Sequence, residues 1–112
     1  MHIKKIIPMV IAFFAIPLFM MAQVTTSTIS GTVKDDKGSV LDGATVKVTN
    51  TQNGAVKQTK SDKSGRFSIP NLDPGGPYTV AVTFVGQIIP TRENIFLQLG
   101  TDEVLDFLGT SS

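Results

Sequence analysis

Apolar and polar residues alternate in short runs from Thr28 onward, and Gly, Asp, Asn and Pro separate these runs. A period of two residues is typical of strands with one buried face, whereas an amphipathic helix repeats about every 3.6 residues. The pattern therefore predicts seven β-strands, which span residues 28–34, 44–50, 55–61, 66–70, 78–85, 87–96 and 103–107.

Three of the predicted strands have a distinct expected position in a sheet. The strand over 55–61 carries two lysines and few apolar side chains, which is typical of a charged edge strand. The strand over 78–85 has a continuous apolar face and is predicted to be central. The stretch 87–96 is expected to be an edge strand or bulged, because Pro90 cannot donate a ladder hydrogen bond.

The C-terminal residues 109–112 are small and polar, and are expected to be frayed.

Short strands separated by frequent turns are the signature of a two-sheet β-sandwich. A length of 112 residues corresponds to one domain. The expected fold class is therefore an all-β, seven-stranded sandwich. Its core is predicted from the inward-facing positions of the strands, which are Ile29, Val33, Val46, Val48, Phe67, Ile69, Val80, Val82 and Phe84.

The N-terminal segment has a different pattern, because two lysines near its start precede an uncharged apolar run over 6–22. A basic start, an apolar run and a small residue at the end are typical of a secretory signal peptide. The sequence predicts a signal peptide over 1–22, cleaved after Ala22, and a mature domain over 23–112. A transmembrane helix is the alternative, but prolines interrupt this run and it is shorter than the ~20 residues that a span needs.

The predicted export places the mature domain in the periplasm or at the outer membrane. The sequence has no cysteine, which excludes a lipid anchor on an N-terminal cysteine, disulfides and thiolate metal sites.

The charge of the predicted mature domain is nearly balanced, because without the two lysines of the leader it has eight basic and nine acidic residues. Since so balanced a charge offers no stripe that would neutralise phosphates, nucleic acid is not expected as a partner.

Candidate catalytic chemistry is sparse in the predicted mature domain. The one histidine, His2, lies in the predicted leader, so no His-based triad or metal site is expected. Asp35-Asp36 and Asp102-Glu103 are adjacent carboxylates, but strand neighbours point to opposite faces and turn aspartates usually accept bonds from backbone amides. Gly75-Gly76 is predicted to be a turn, because no helix follows it that would bind a phosphate. The sequence therefore predicts no enzyme, no catalytic residue, no cofactor and no metal site.

Several motifs along the chain have a recognisable spacing. They are Ile29-Ser30-Gly31-Thr32-Val33, Gly43-Ala44-Thr45-Val46, and then Asp62, Gly65 and Phe67. Together they resemble the carboxypeptidase regulatory-like domain. The later motifs Tyr78-Thr79-Val80, Val85-Gly86 and Thr91-Arg92-Glu93-Asn94-Ile95 resemble the form of this domain at the N-terminus of TonB-dependent outer-membrane receptors. The chain departs from that form at Gln87, where an aromatic residue is common, and has no plug or barrel.

The resemblance implies a transthyretin-like or carbohydrate-binding-like (Ig-like) sandwich. It also implies a non-catalytic structural or protein-interaction module, similar to the N-terminal extension of such a receptor. The expected partner is another envelope protein, and the mature domain is expected to be a monomer.

A carbohydrate-binding module is the alternative function, since the implied fold occurs in such modules. Sugar platforms typically present exposed aromatic rings, and this sequence has no Trp. Of the five aromatic residues after the leader, Phe67, Tyr78 and Phe84 fall on predicted buried faces. Phe96 and Phe107 are left, so the sequence favours the protein-interaction module over a glycan partner.

Overall fold

The computed structural model describes residues 25–112, and these residues form an all-β sandwich, which confirms the predicted fold class. The predicted signal peptide over 1–22 and its cleavage site lie outside the described residues. Within the described part, no helix is long and apolar enough to cross a membrane. The strands are β1 (Ser27–Asp35), β2 (Thr45–Asn50), β3 (Val56–Lys60), β4 (Arg66–Leu72), β5 (Gly75–Thr83), β6 (Gln87–Ile88), β7 (Arg92–Leu97) and β8 (Asp102–Ser111).

The strands form two four-stranded sheets. The first sheet has the order β4-β1-β8-β6, and the second sheet has the order β3-β2-β5-β7. Neighbouring strands pair antiparallel except β1 and β8, which pair parallel over eight residues from Thr28↔Asp102 to Asp35↔Gly109. The first and last long strands of the domain therefore lie side by side in the middle of the first sheet.

The described chain has eight strands where the sequence predicted seven, because the predicted strand over 87–96 is two strands. β6 pairs with β8 in the first sheet, whereas β7 pairs with β5 in the second. The chain crosses between the sheets at Pro90, which has no N–H to contribute to either ladder. The predicted interruption at this proline is confirmed, and its consequence is a change of sheet.

The core lies between the two sheets and contains eight of the nine predicted residues. Phe84, the ninth, is only half-buried and packs against the rim of the core, because β5 ends one residue before it. Phe67 and Phe107 face each other across β1, with ring centroids 6.1 Å apart and planes tilted by 52°. The sequence left Phe107 unassigned, and the structure places it among the buried side chains. Ala44 and Tyr78, which the sequence placed on inward faces, are buried too, and the other core residues that the sequence did not assign are Leu41, Leu72, Ile89, Leu97 and Leu105.

The predicted positions of two strands are confirmed. β3 is an edge of the second sheet, and four of its five residues are exposed. β5 lies between β2 and β7, and its inward side chains Tyr78, Val80 and Val82 are buried. The alternation of apolar residues was therefore sufficient to distinguish a central strand from an edge strand.

Two predicted irregular segments are strands instead. Residues 109–112 were expected to be frayed, but β8 continues to Ser111, where Thr110 and Ser111 pair with β6. Their backbone, not an apolar side chain, holds the tail, and the Ser112 N–H donates to the Gly86 carbonyl at 3.1 Å. Gly75-Gly76 was expected to be a turn, but it begins β5, where Gly75 is paired with Leu97.

A buried serine joins the loop after β1 to the end of β3. The Ser61 hydroxyl donates to the Leu41 carbonyl at 2.6 Å and accepts the Ala44 N–H at 2.9 Å. We expect Ser61→Ala to lower the free energy of unfolding by about 2 kcal/mol, because two buried backbone groups lose their partner. Urea denaturation measures the change, and Ser68→Ala on the exposed face of β4 is the matched control. Equal midpoints for the two variants would contradict this role for Ser61.

Candidate functional site

Two of the four carboxylates that the sequence singled out, Asp35 and Asp102, accept hydrogen bonds from the protein itself. Asp35 Oδ1 accepts hydrogen bonds from the N–H groups of Lys37 and Ser39, both at 2.9 Å, which confirms the turn interpretation of Asp35. Asp102 Oδ1 accepts the Ser30 hydroxyl at 2.8 Å. Among residues 25–112, no three His, Cys, Asp or Glu side chains are grouped so that they would hold a metal ion.

Asp62 lies in the turn between β3 and β4 and also accepts hydrogen bonds from the backbone. Its Oδ1 accepts the backbone N–H of Ser64 at 2.8 Å and that of Arg66 at 3.0 Å. The bond from Arg66 and then the bond from Ser64 lower the pKa of Asp62, because both favour the ionised carboxylate. This geometry closes the turn between β3 and β4, so the group is structural.

The lowered pKa of Asp62 predicts how the turn responds to pH. A carboxyl whose pKa is lower in the folded chain stabilises the fold above its unfolded pKa, and this contribution is lost as the pH falls through the folded pKa. We expect a carbon-detected NMR titration to give Asp62 a pKa below that of an aspartate in an unfolded peptide. A pKa at or above the peptide value would show that the two backbone bonds are absent in solution.

The aromatic side chains do not form a sugar-binding platform in the described residues. Phe67, Tyr78 and Phe107 are buried, and the Tyr78 hydroxyl donates to the Asp73 carbonyl at 2.7 Å. Phe96 on β7 is 63% exposed, and Phe84 is half-buried. A single well-exposed ring remains on this part of the chain.

A surface depression of about 430 Å³ lies beside the end of β5. Its lining consists of Gly43, Thr45, Thr83, Phe84 and Val85, so two hydroxyls are its only polar side-chain groups. No lining residue is charged or able to act as an acid or base near neutral pH. This depression therefore carries no chemistry for catalysis.

The outer face of the first sheet has a regular pattern of acidic and apolar side chains along β8. Asp102 and Asp106 alternate with Val104 and Leu108, and all four are exposed. Asp106 Oδ1 accepts the Thr32 hydroxyl at 2.8 Å, as Asp102 does that of Ser30. The neighbouring strand β1 thus fixes the two carboxylates at a spacing of four residues. This surface was not predicted from the sequence, although apolar residues on both faces of 103–107 were a visible signal of it.

The side of β8 that faces away from β1 is largely unpaired. β6 covers only its last two residues, and within residues 25–112 no strand pairs with this side between Asp102 and Gly109. Pro90 and Arg92 line a depression beside Asp106 and Leu108, and Arg92 Nη2 donates to the Asp106 carbonyl at 2.8 Å. The Arg92 guanidinium also lies 5.3 Å from the centroid of the Phe107 ring, a cation–π distance. We call this side of β8, over Asp102–Leu108, the β8 edge.

The family assignment agrees with this fold and with the sequence motifs. The carboxypeptidase regulatory-like domain family matches residues 28–108, which include most of every strand from β1 to β8. The chain therefore belongs to the carboxypeptidase regulatory-like domain family. A comparison with curated proteins gives no significant match.

Solved structures with the same fold come from different kinds of protein. The Bacillus anthracis TIE protein has a TM-score of 0.65 at 20% identity, covering 78% of this chain and 17% of its own. The shaft pilin SpaA from Lactobacillus rhamnosus GG has a TM-score of 0.57 at 20% identity, covering 79% and 48%. Hydroxyquinol 1,2-dioxygenase from Pseudomonas putida DLL-E4 has a TM-score of 0.62 at 10% identity, covering 82% and 58%. This chain spans less than two thirds of each, and at these identities the similarity concerns the fold alone.

Proposed function

We propose that this protein is a non-catalytic protein-interaction module of the bacterial cell envelope, similar to the N-terminal extension of a TonB-dependent receptor. The observation that carries the proposal is the surface of β8, where Val104 and Leu108 are 62% and 60% exposed and alternate with the fixed carboxylates of Asp102 and Asp106. Large apolar side chains that recur on one exposed face mark interaction surfaces. Membership of a regulatory-like domain family is consistent with a binding role.

The lack of catalytic function is part of the proposal and has its own support. The described carboxylates for which hydrogen bonds are known accept them from turns and from β1, so they serve the fold. The depression beside the end of β5 has no acid, base or nucleophile beyond two threonine hydroxyls. The dioxygenase similarity rests on 10% identity, and therefore brings no activity to this chain.

The proposed cellular location and oligomeric state of the protein rest on the sequence pattern. A signal peptide over 1–22 would export the domain over 23–112 as a monomer to the periplasm or the outer membrane, where another envelope protein is its partner. The nearly balanced charge of the exported domain supports a protein partner over nucleic acid.

The test of this function is isothermal titration calorimetry of residues 23–112 with soluble oligosaccharides. We expect no saturable heat at millimolar concentrations, because a single well-exposed ring, Phe96, offers too small a stacking surface. Saturable heat would favour the carbohydrate-binding alternative over the interaction module. Phe96→Ala is the matched variant, since loss of that heat in the variant would identify the ring as the sugar platform.

A further inference from the structure

The backbone direction along β8 can be derived from two hydrogen bonds. Within a strand, the N–H and C=O of one residue point to one side, and those of the next residue point to the other side. The Asp106 carbonyl points away from β1, because it accepts a bond from Arg92 on β7. The Ser112 N–H points the same way, to the Gly86 carbonyl before β6. The even-numbered residues of β8 therefore direct their backbone groups to the β8 edge.

The β8 edge thus presents four N–H and four C=O groups over seven residues, from Asp102, Val104, Asp106 and Leu108. In the described residues, only the Asp106 carbonyl has a hydrogen-bond partner on this side. No proline interrupts this stretch, and the parallel pairing with β1 keeps it regular. An edge of this kind is a template for an additional strand.

The other long edges of the two sheets carry features that oppose strand addition. Pro70 on β4 has no N–H, and Asn71 has a φ of 62°, which bends that edge. β3 carries Lys57 and Lys60, and Lys57 Nζ is bound to the Asn71 carbonyl at 2.6 Å. β7 is bent at Asn94, where φ is 59°, and its pairing with β5 is irregular. Edge strands that avoid other chains have these devices.

The side chains beside the β8 edge select the chemistry of an added strand. Directly opposite residues of paired strands lie about 5 Å apart, so an added strand would face Asp102, Val104, Asp106 and Leu108 in turn. Charge complementarity requires basic residues opposite the two aspartates, and apolar burial favours β-branched residues opposite Val104 and Leu108. A strand with a basic residue at every fourth position and an apolar residue midway between fits this pattern.

We infer that the β8 edge binds an extended segment of a partner protein by β-strand addition, and that this segment alternates basic and apolar residues on one face. The inference rests on the proposed interaction function and names its surface and the chemistry of its partner. Arg92 covers the Asp106 carbonyl in the free domain and is displaced when the segment binds. The backbone supplies most of the affinity, and the aspartates supply the register.

The probe is the synthetic peptide Val-Thr-Lys-Thr-Val-Thr-Lys-Thr, labelled for fluorescence anisotropy and titrated into residues 23–112. Its pattern matches the β8 edge in either strand direction. Two control peptides separate the contributions: one has glutamate in place of lysine, and one is N-methylated at alternate residues so that its backbone cannot pair. Amide hydrogen exchange by NMR then reports which N–H groups of the domain become protected.

We expect saturable binding of the lysine peptide with new protection at Val104, Asp106 and Leu108. The glutamate and N-methylated peptides bind at least about tenfold more weakly, since each loses one kind of contact. Val104→Pro removes an outward N–H that does not bind β1, so we expect this variant to lose peptide binding. Val104→Thr keeps the N–H and is expected to retain most of the binding. The N-methylated peptide gives the same answer if Val104→Pro does not fold.

Each other outcome overturns the inference. Absence of binding at millimolar peptide, equal binding of the lysine and N-methylated peptides, or protection at amides outside β8 would show that the β8 edge is not the docking surface. These results would leave the interaction function open to another surface. A domain that binds oligosaccharides in calorimetry instead contradicts the function itself, whatever the peptides do.

Discussion

Gly31→Ala is expected to lower the free energy of unfolding by about 3 kcal/mol, or to prevent folding. A Cβ on Gly31 would lie 1.6 Å from the Leu105 carbonyl oxygen and 2.7 Å from its carbonyl carbon. Both contacts are with backbone, so no side-chain rotation relieves them. The parallel pair of β1 and β8 must separate, and this pair forms the middle of the first sheet.

Ser30→Ala is the matched control for this prediction. Ser30 is the neighbour of Gly31 on β1 but faces outward, and it loses one exposed hydrogen bond to Asp102. We expect the control to cost no more than about 1 kcal/mol. Urea denaturation of both variants measures the difference, and a Gly31→Ala midpoint equal to that of Ser30→Ala would contradict the close approach of β1 and β8.

Gly65→Val is expected to lower the free energy of unfolding by about 2 to 3 kcal/mol, for two reasons that add. Gly65 has a φ of 76°, which a β-branched residue adopts only with strain. Its Cβ would also lie 2.8 Å from the Val33 carbonyl oxygen and 2.9 Å from Val40 Cβ. The residue closes the turn that Asp62 organises, and its own carbonyl accepts the Val33 N–H at 2.8 Å.

Lys60→Ala is the control for the turn variant, because Lys60 is exposed on the edge strand β3. We expect it to change stability by no more than about 0.5 kcal/mol. The comparison uses midpoints and slopes of urea denaturation, which separate stability from a change in the unfolded chain. Similar midpoints for Gly65→Val and Lys60→Ala would show that the turn geometry is wrong.

The sequence predicted those features that depend on neighbouring residues. The period of two residues located the strands, and the lysines of β3 marked it as an edge. Gly65 was predictable too, since an Asp-to-Gly turn between two strands commonly needs a positive φ. These signals are local, so a single sequence contains them.

Features that depend on distant residues could not be predicted in the same way. Gly31 is constrained by Leu105, which is 74 positions away in the chain and becomes its neighbour only through the parallel pairing. The tail at Thr110 and Ser111 is ordered by its backbone pairing with β6, which leaves no apolar pattern. The change of sheet at Pro90 likewise depends on distant residues, because β6 before it pairs with β8 and β7 after it pairs with β5.

The β8 edge could not be predicted from the reactive side chains in the sequence. Catalytic and metal sites can be recognised in a sequence by their residue types. The β8 edge consists of backbone groups and of side chains that are common on protein surfaces. Only the pairing of β8 with β1 shows that Asp102, Val104, Asp106 and Leu108 share one exposed face and one free edge. In the sequence, the exposed apolar side chains of β8 could not be distinguished from core residues, because both faces of the strand carry apolar residues.

Site-specific photo-crosslinking in cells that export the full chain tests whether the β8 edge binds a partner strand. One variant carries a photoreactive residue in place of Val104 beside the β8 edge, and the control carries it in place of Lys47, which is exposed on the second sheet. We expect a covalent adduct at the Val104 position with a segment of one envelope protein that alternates basic and apolar residues, and no adduct at the Lys47 position. No protein adduct at the Val104 position, or equal adducts at both positions, would show that the β8 edge is not the docking surface.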